Sequence, residues 1–350
     1  MTGPSPAQRL QAQWSRRGPV ARLLWPVSQL YRAAWTLRQT AYRLGLLKPA
    51  RLPVPVVVVG NVIAGGAGKT PVVIALVEHL ASRGIVAGVV SRGYGRTVPP
   101  GDDDEGLEVQ PRSDPAAVGD EPLLIHRRTG APVFVGRKRS AVARRLLALH
   151  PEVQVLVCDD GLQHVALARD IEICVFDDRG AGNGWLLPAG PLREPWPRAV
   201  DMVLHTGRQP AFGGFQGQRE LADEALGHDG QLTPMPVVAQ SGPIAAVAGI
   251  ARPEGFFEML RERGLSLAET HALPDHADYA ADAATVAAIA AIGPRTTLLC
   301  TEKDAAKLWR LRPDALAVPL RFSLAPDFIA YFDRLVDARL SSASRARRPG

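Results

Sequence analysis

Apolar residues in this chain follow two patterns that alternate. Short unbroken runs rich in valine, isoleucine and leucine read as strands buried on both faces of a parallel sheet. Between them lie stretches whose apolar positions recur at the spacing of one helix face. The first strand is the valine run at 56–59, followed by a glycine-rich turn and a helix over about 70–82. A strand at 85–90 comes next, then a Pro-, Gly- and acid-rich loop at 97–115, then a helix opening at VGDEPLLIHRR. APVFV at 131–135, VQVLVCDD from 153, DIEICVF from 170 and DMVLHTG at 201–207 supply further strands. Residues 208–240 are polar and irregular and read as a linker. PIAAVAGI, PEGFFEMLRERG, ADAATVAAIAAIG, TTLLC and TEKDAAKLWR then repeat the strand–helix alternation on a smaller scale. Such alternation predicts an α/β fold, with a mostly parallel sheet covered by helices on both faces and a smaller C-terminal α/β domain. The expected division is an arm at 1–50, a first domain at 51–210, a linker region at 211–240, a second domain at 241–325, and a C-terminal helix with a basic tail at 326–350.

The turn after the first strand narrows the fold class to that of P-loop NTPases. In GNVIAGGAGKTP (60–71), Gly65, Gly66 and Gly68 let backbone amides curl round a polyphosphate with no Cβ in the way. Ala67 completes the curl and Pro71 sits in the first helical turn. The helix N-terminus adds its positive dipole end, Lys69 reaches phosphate oxygens, and the Thr70 hydroxyl can ligate Mg²⁺. The strict spacing wants a first glycine where Ile63 stands. The Gly65-Gly66 pair makes the loop closer to the GGxGKT variant of dimeric and metal-chaperone NTPases than to a Ras-type loop.

Downstream, Asp159 and Asp160 end an apolar strand, the Walker-B position at which a carboxylate holds Mg²⁺ directly or through water. Arg92 and Tyr94 lie in SRGYGR, at a strand's C-terminal edge where α/β sheets bind ligands; the same glycines also make a plain turn. Asp120 and Glu121 open a helix, where acids complement the dipole. Arg137, Lys138 and Arg139 oppose the dipole of the next helix, a conflict that an anion would relieve and a solvated face would tolerate. His276 lies on a loop in ALPDHADY, where a lone histidine is ordinarily solvated.

Charge is concentrated at one end. The chain carries a net +6, residues 1–51 hold nine Lys and Arg, and the first acid is Glu78. Val27, Leu30, Tyr31, Ala34, Trp35, Leu37 and Tyr42 recur at helical spacing, with Arg32, Gln39 and Arg43 largely off that stripe and Trp14 and Trp25 before it. Such a stripe either lies in a membrane interface or packs on the body, and both hold if one face docks while an end enters lipid. Nucleic-acid binding ranks behind these, because no reader module follows. Cys158, Cys174 and Cys300 lie in apolar runs without metal-ligand spacing and read as reduced core thiols. With no spanning run and no secretory h-region, a cytoplasmic location is expected.

GNVIAGGAGKTP, SRGYGR, VGDEP, DDGLQH, LLPAGPLREP, GIARPEGFF, LPDHADY and TEKDAAKL occur in this order across 60–308. Taken together they resemble the tetraacyldisaccharide 4′-kinase (lipid A 4′-kinase) family over nearly the whole chain, DDGLQH and PAGPLREP most specifically. The resemblance implies transfer of the ATP γ-phosphate to the 4′-hydroxyl of a tetraacyl glucosamine disaccharide 1-phosphate. It implies ATP and Mg²⁺ as cofactors, with Lys69 and Thr70 on phosphates and metal and Asp159 and Asp160 serving the metal. It makes Asp120 the base and His276 its partner, places Arg92 and Tyr94 near the substrate, and lines the same cleft with Gln163 and His164. Arg193 and Glu194 fall at matched positions, TEKD near the nucleotide base. The basic arm would hold the enzyme on the anionic cytoplasmic face of the inner membrane, without a spanning helix and without a nucleic-acid partner. Asp120 and His276 belong to different domains, so closure of the two would complete the site. A guanine-reading switch would need [NT]KxD, but TEKD has Glu302 where the lysine belongs.

Overall fold

The computed structural model describes residues 14–97, 106–275, 277, 279 and 282–346. In chain order the first part comprises α1 (Pro19–Arg43), β1 (Val56–Gly60), α2 (Lys69–Ser82), β2 (Ala87–Ser91), β3 (Leu107–Glu108), α3 (Pro115–Val118), α4 (Asp120–Thr129), β4 (Val133–Val135), α5 (Arg139–Leu149), β5 (Val155–Asp159), β6 (Ile171–Phe176), β7 (Met202–His205) and β8 (Phe215–Leu221). The second part comprises β9 (Glu224–Leu226), β10 (Leu232–Pro234), α6 (Met235–Val238), β11 (Ile244–Ala248), α7 (Pro253–Glu262), β12 (Leu267–Ala272), α8 (Ala283–Ala290), β13 (Thr297–Thr301), α9 (Glu302–Leu308) and β14 (Leu316–Val318). β15 (Leu320–Leu324) and α10 (Pro326–Ala346) end the chain's described elements.

The strands form two sheets. The larger has nine in the order β15-β8-β7-β6-β1-β5-β2-β4-β3, the smaller six in the order β10-β9-β14-β13-β11-β12. In the larger sheet only the outermost pairs, β15/β8 and β3/β4, are antiparallel. β1 runs parallel between β5 and β6, which makes it a central strand, and its valines are buried on both faces. One face of the sheet packs on α2 and on Phe328, Phe332 and Val336 of α10; the other packs on α5 through Val142, Ala143 and Leu146. Both faces are therefore covered, as the continuous apolar runs require. In the smaller sheet, β11, β12, β13 and β14 are parallel neighbours.

The stretch 208–240 departs from expectation. Instead of an irregular linker, it carries β8 of the larger sheet and β9, β10 and α6 of the smaller unit. β8 reads FQGQREL, with burial confined to alternate positions or fewer. A strand near a sheet edge needs only a sparse apolar face, so its polar residues hid it. Residues 320–324, expected in the second domain, return as β15 to pair with β8 in the first sheet. β12 also went unforeseen; its sequence LAETHA is mostly exposed.

α1 is docked on one face and open on the other. Ala21 and Ser28 are its buried residues, while Val20, Leu23, Val27, Leu30 and Leu37 form an outward stripe, with Leu23, Leu30 and Leu37 at 80%, 73% and 72% exposure. The expected apolar stripe is thus shared between the body and the surroundings. Among the described residues, no helix is long and apolar enough to cross a membrane. The three cysteines are buried and free, as their setting predicted.

Candidate active site

The glycine loop joins β1 to α2, with Gly65 and Gly68 at φ +89° and +73°, where a side chain is strained. Side chains grip it by its carbonyl oxygens. Asn61 Nδ2 donates to the Gly65 carbonyl (3.3 Å), Arg179 Nη2 to that of Gly66 (2.8 Å) and Thr206 Oγ1 to that of the buried Ala67 (3.0 Å). Held from that side, the curl presents its N–H groups to an anion. Lys69 opens α2 and donates to Asn61 Oδ1 (3.2 Å), with Asp160 Oδ1 3.6 Å away. Thr70 and Pro71 complete the first turn, where proline's missing N–H costs nothing.

Parallel register sets Val59 of β1 beside Asp159 of β5, which brings the two aspartates next to the loop. Their environments separate them. Asp159 is buried; its Oδ2 accepts from Ser91 Oγ (3.0 Å), and its Oδ1 has no partner among the described residues. Burial, then the neighbouring charge of Glu121, pushes its carboxyl up to about 7 against the pull of Lys69. Asp160 has a positive φ of 53°, strained for a non-glycine residue. Arg193 grips it bidentately, Nη1 to Oδ2 at 3.0 Å and Nη2 to Oδ1 at 2.6 Å. Burial would raise its carboxyl, but Lys69 and Arg193 together hold it well below the usual range.

Arg193 also donates to the Asn61 carbonyl (2.6 Å), so it ties the aspartate strand end to the start of the glycine loop. Gln163 Nε2 donates to the same carbonyl (3.0 Å) and to Glu194 Oε1 (2.9 Å). Glu194 is buried, with Arg198 Nε 3.3 Å from its other oxygen. His164 is half-buried amid guanidinium groups; burial first, then Arg139, Arg38, Arg169 and Arg92, push its imidazole down to about 4. Arg139 is itself buried, donating Nη1 to the Gly136 carbonyl (2.9 Å) while its Nε has no partner among the described residues. Arg92 and Tyr94 stand exposed on the turn after β2, Tyr94 at 70%.

Asp120 opens α4 behind Gly119, is nearly buried, and accepts from Lys307 Nζ of α9 at 2.7 Å. Lys307 also donates to the Ala277 carbonyl (3.4 Å), on the loop expected to bring His276 to Asp120. His276 itself lies outside the described residues. A cavity of about 810 Å³ is lined by Gly66–Pro71, Glu121, Thr206, Arg219, Arg252 and Thr301–Lys303, among others. Glu121, next in the chain to Asp120, thus faces the same space as Lys69 and Thr70, and the TEKD turn borders it from the second sheet. Asp120, Asp159, Asp160, Arg92, Tyr94, Gln163, His164, Arg193 and Glu194 do not line it; the Asn61–Arg193–Asp160 bonds connect the second cluster to the loop.

Asn61, Arg179, Arg219 and Lys307 were not singled out from the sequence. Asn61 follows directly on a valine strand and Lys307 is the last residue of TEKDAAK, and those were the available signals. Arg179 and Arg219 have none, since folding alone carries them to the loop.

The model of the tetraacyldisaccharide-1-P 4′-kinase (LpxK) family matches residues 20–337. This chain belongs to that family. A tetraacyldisaccharide 4′-kinase of Acidovorax sp. (strain JS42) is 56% identical, the match covering 97% of each chain. One of Polaromonas naphthalenivorans (strain CJ2) is 54% identical over 95% of this chain and 96% of the relative. Among solved structures, LpxK from Aquifex aeolicus in complex with ATP aligns with a TM-score of 0.73 at 27% identity, covering 91% of this chain and 99% of the other. Family membership makes this chain a kinase with an alcohol acceptor and accounts for the order of motifs along 60–308.

Proposed function

We propose that the chain transfers the γ-phosphate of ATP to the 4′-hydroxyl of a tetraacyl glucosamine disaccharide 1-phosphate, giving the bis-phosphorylated lipid A precursor. One observation carries this reading. The glycine loop with Lys69 and Thr70 lines one cavity together with Glu121, the residue that follows Asp120. Phosphoryl transfer asks chiefly for in-line positioning and charge neutralisation, and a carboxylate in reach of the acceptor hydroxyl removes its proton. In this reading Asp120 is that carboxylate, positioned by Lys307 and partnered by His276. The Gly65–Pro71 curl and Lys69 hold the ATP phosphates.

The donor set fits Mg²⁺ together with phosphate oxygens. Asp159 Oδ1 is a buried carboxylate oxygen without a partner among the described residues, next to a second carboxylate and in the field of Lys69. No three His, Cys, Asp or Glu groups converge on a metal by themselves among the described residues, which suits an ion that keeps water and phosphate ligands. Asp159, Asp160 and Thr70 would hold it, directly or through water, and bound there it would neutralise charge on the phosphates. On the other side of Asn61, the guanidinium groups of Arg92 and Arg139 around the neutral His164 supply positive charge for the acceptor's 1-phosphate. Gln163, Arg193 and Glu194 shape the wall between the two subsites. The outward stripe of α1 and its arginines would seat the enzyme on an anionic membrane surface at the cytoplasmic face, where a lipid acceptor and soluble ATP meet.

The reaction is tested with γ-labelled ATP and the lipid disaccharide, product resolved by thin-layer chromatography. Asp120→Asn is expected to lower kcat by about 10²–10⁴-fold with ATP binding retained. A kcat within a few-fold of wild type would remove Asp120 from the role of base.

A further inference from the structure

Arg219 belongs to β8, pairs with Phe322 of β15, and reaches across the sheet end to the glycine loop. Its guanidinium packs on Gly68, where a Cβ would collide with Nη2. Nη2 donates to Thr206 Oγ1 (2.6 Å) and to the Ala67 carbonyl (3.3 Å), both neutral acceptors. Nε is buried and has no partner among the described residues. Within ion-pair distance Arg219 meets no carboxylate among the described residues. Asp177, whose charge acts on Arg219, is already engaged by Arg179 (2.8 Å) and by Arg252 of the second unit (3.5 Å).

This is an unfavourable place for a cation. The N-terminus of α2 is the positive end of a helix dipole, and Lys69 directly follows Gly68. Burial, with the repulsion of Arg252 and Arg179, disfavours the Arg219 cation against the attraction of Asp177 and Asp178. A partly buried guanidinium with no ion-pair partner among the described residues is poorly compensated. Were the residue needed only to brace Thr206 and Ala67, a neutral donor would serve at less cost. A polyanion in the glycine loop resolves the conflict, because it answers Lys69, Arg219 and the helix end together and offers an acceptor to the unused Nε. Planar guanidinium groups suit phosphate oxygens through paired N–H donors.

We propose that Arg219 is a phosphate-binding residue of the nucleotide site, a clamp supplied by β8 that contacts the polyphosphate of ATP beside Gly68. The inference rests on the reading that this loop holds the ATP polyphosphate. It adds a determinant, on a strand far along the chain from the glycine motif, for recognition of a nucleoside di- or triphosphate.

The test is calorimetric binding of ADP with Mg²⁺ to the full-length wild type, Arg219→Lys and Arg219→Met, with melting temperatures and lipid KM measured alongside. Arg219→Met is expected to weaken ADP about thirtyfold, Arg219→Lys less, with lipid KM within twofold. ADP affinity within twofold of wild type in both folded variants, even with a lowered melting temperature, would reduce Arg219 to a brace and overturn the inference. If neither variant folds, a crystal structure of the wild type with ADP decides: a phosphate oxygen within hydrogen-bond distance of the guanidinium supports it, and a guanidinium still confined to Thr206 and Ala67 overturns it. Wild type that binds no ADP would overturn the underlying reading, and this inference with it.

Discussion

Two adjacent residues, Asp159 and Asp160, show how environment divides chemically identical groups. The first is buried with one oxygen unused, and its carboxyl is pushed up; the second is gripped by Arg193 and Lys69, and its carboxyl is held down. Environments that drive neighbouring titratable groups apart are common at working sites and in ion-pair networks alike. His164 offers a test of the electrostatics of the second cluster. Its imidazole is pushed to about 4 by burial and surrounding arginines, from an ordinary value of 6.5. Between those values the unfolded chain binds a proton that the folded chain does not, so the site costs stability as pH falls from about 6.5 toward 4. His164→Gln, which cannot take up that proton, is expected to lose less stability across this window than wild type in urea denaturation at pH 6.5 and 4.5. Parallel losses in the two proteins would show that His164 titrates freely.

Among the elements, α1 has the most divided allegiance. Its inner face is bound to the loop that carries Arg193. Ser28 Oγ donates to the Leu186 carbonyl (2.8 Å) and accepts from the Ala189 N–H (3.0 Å), and Tyr31 Oη donates to the Arg193 carbonyl (2.6 Å). Trp14 Nε1 donates to the Pro188 carbonyl (3.0 Å) and Arg17 lies over the Trp185 ring. Deleting the arm would therefore disturb the active-site loop as well as any membrane contact, and a surface variant separates the two. Leu23→Ser, Leu30→Ser and Leu37→Ser combined should leave urea stability nearly unchanged, since these side chains are 72–80% exposed. The same variant should lower flotation with anionic vesicles at least about tenfold. Unchanged flotation would count against the outward stripe as a lipid contact.

At the scale of the molecule, the cavity at the glycine loop is lined from both sheets' units, and charged pairs cross the boundary between them. Lys307 reaches Asp120, Arg128 joins Glu302 (2.9 Å), and Arg252 reaches Asp177. β8 and β15 belong to the larger sheet although the smaller unit lies between them in sequence, so the chain leaves and re-enters through neighbouring strands. Lys307→Met removes the ammonium 2.7 Å from Asp120. It is expected to lower stability by about 1.5–3 kcal/mol and to lower kcat with ATP KM within twofold. A kcat equal to wild type would show that Lys307 joins the units without positioning Asp120.

Much of this was written in local pattern. The valine strand, the glycine curl with Lys69 and Thr70, and the Asp159-Asp160 strand end are contiguous, so their chemistry follows from neighbours in the chain and from the burial that their apolar runs demand. The strand–helix alternation likewise determined a covered parallel sheet, because only two covered faces accommodate such runs. Tertiary structure alone decided the rest. It placed β8 in the larger sheet, where a polar sequence finds strand partners at an edge, and with it brought Arg219 onto Gly68. It paired Asp120 with Lys307 across 187 positions and turned one side of the α1 stripe inward and the other out. Contacts of that kind depend on which surfaces meet when the two units pack, and no spacing along the chain encodes that meeting.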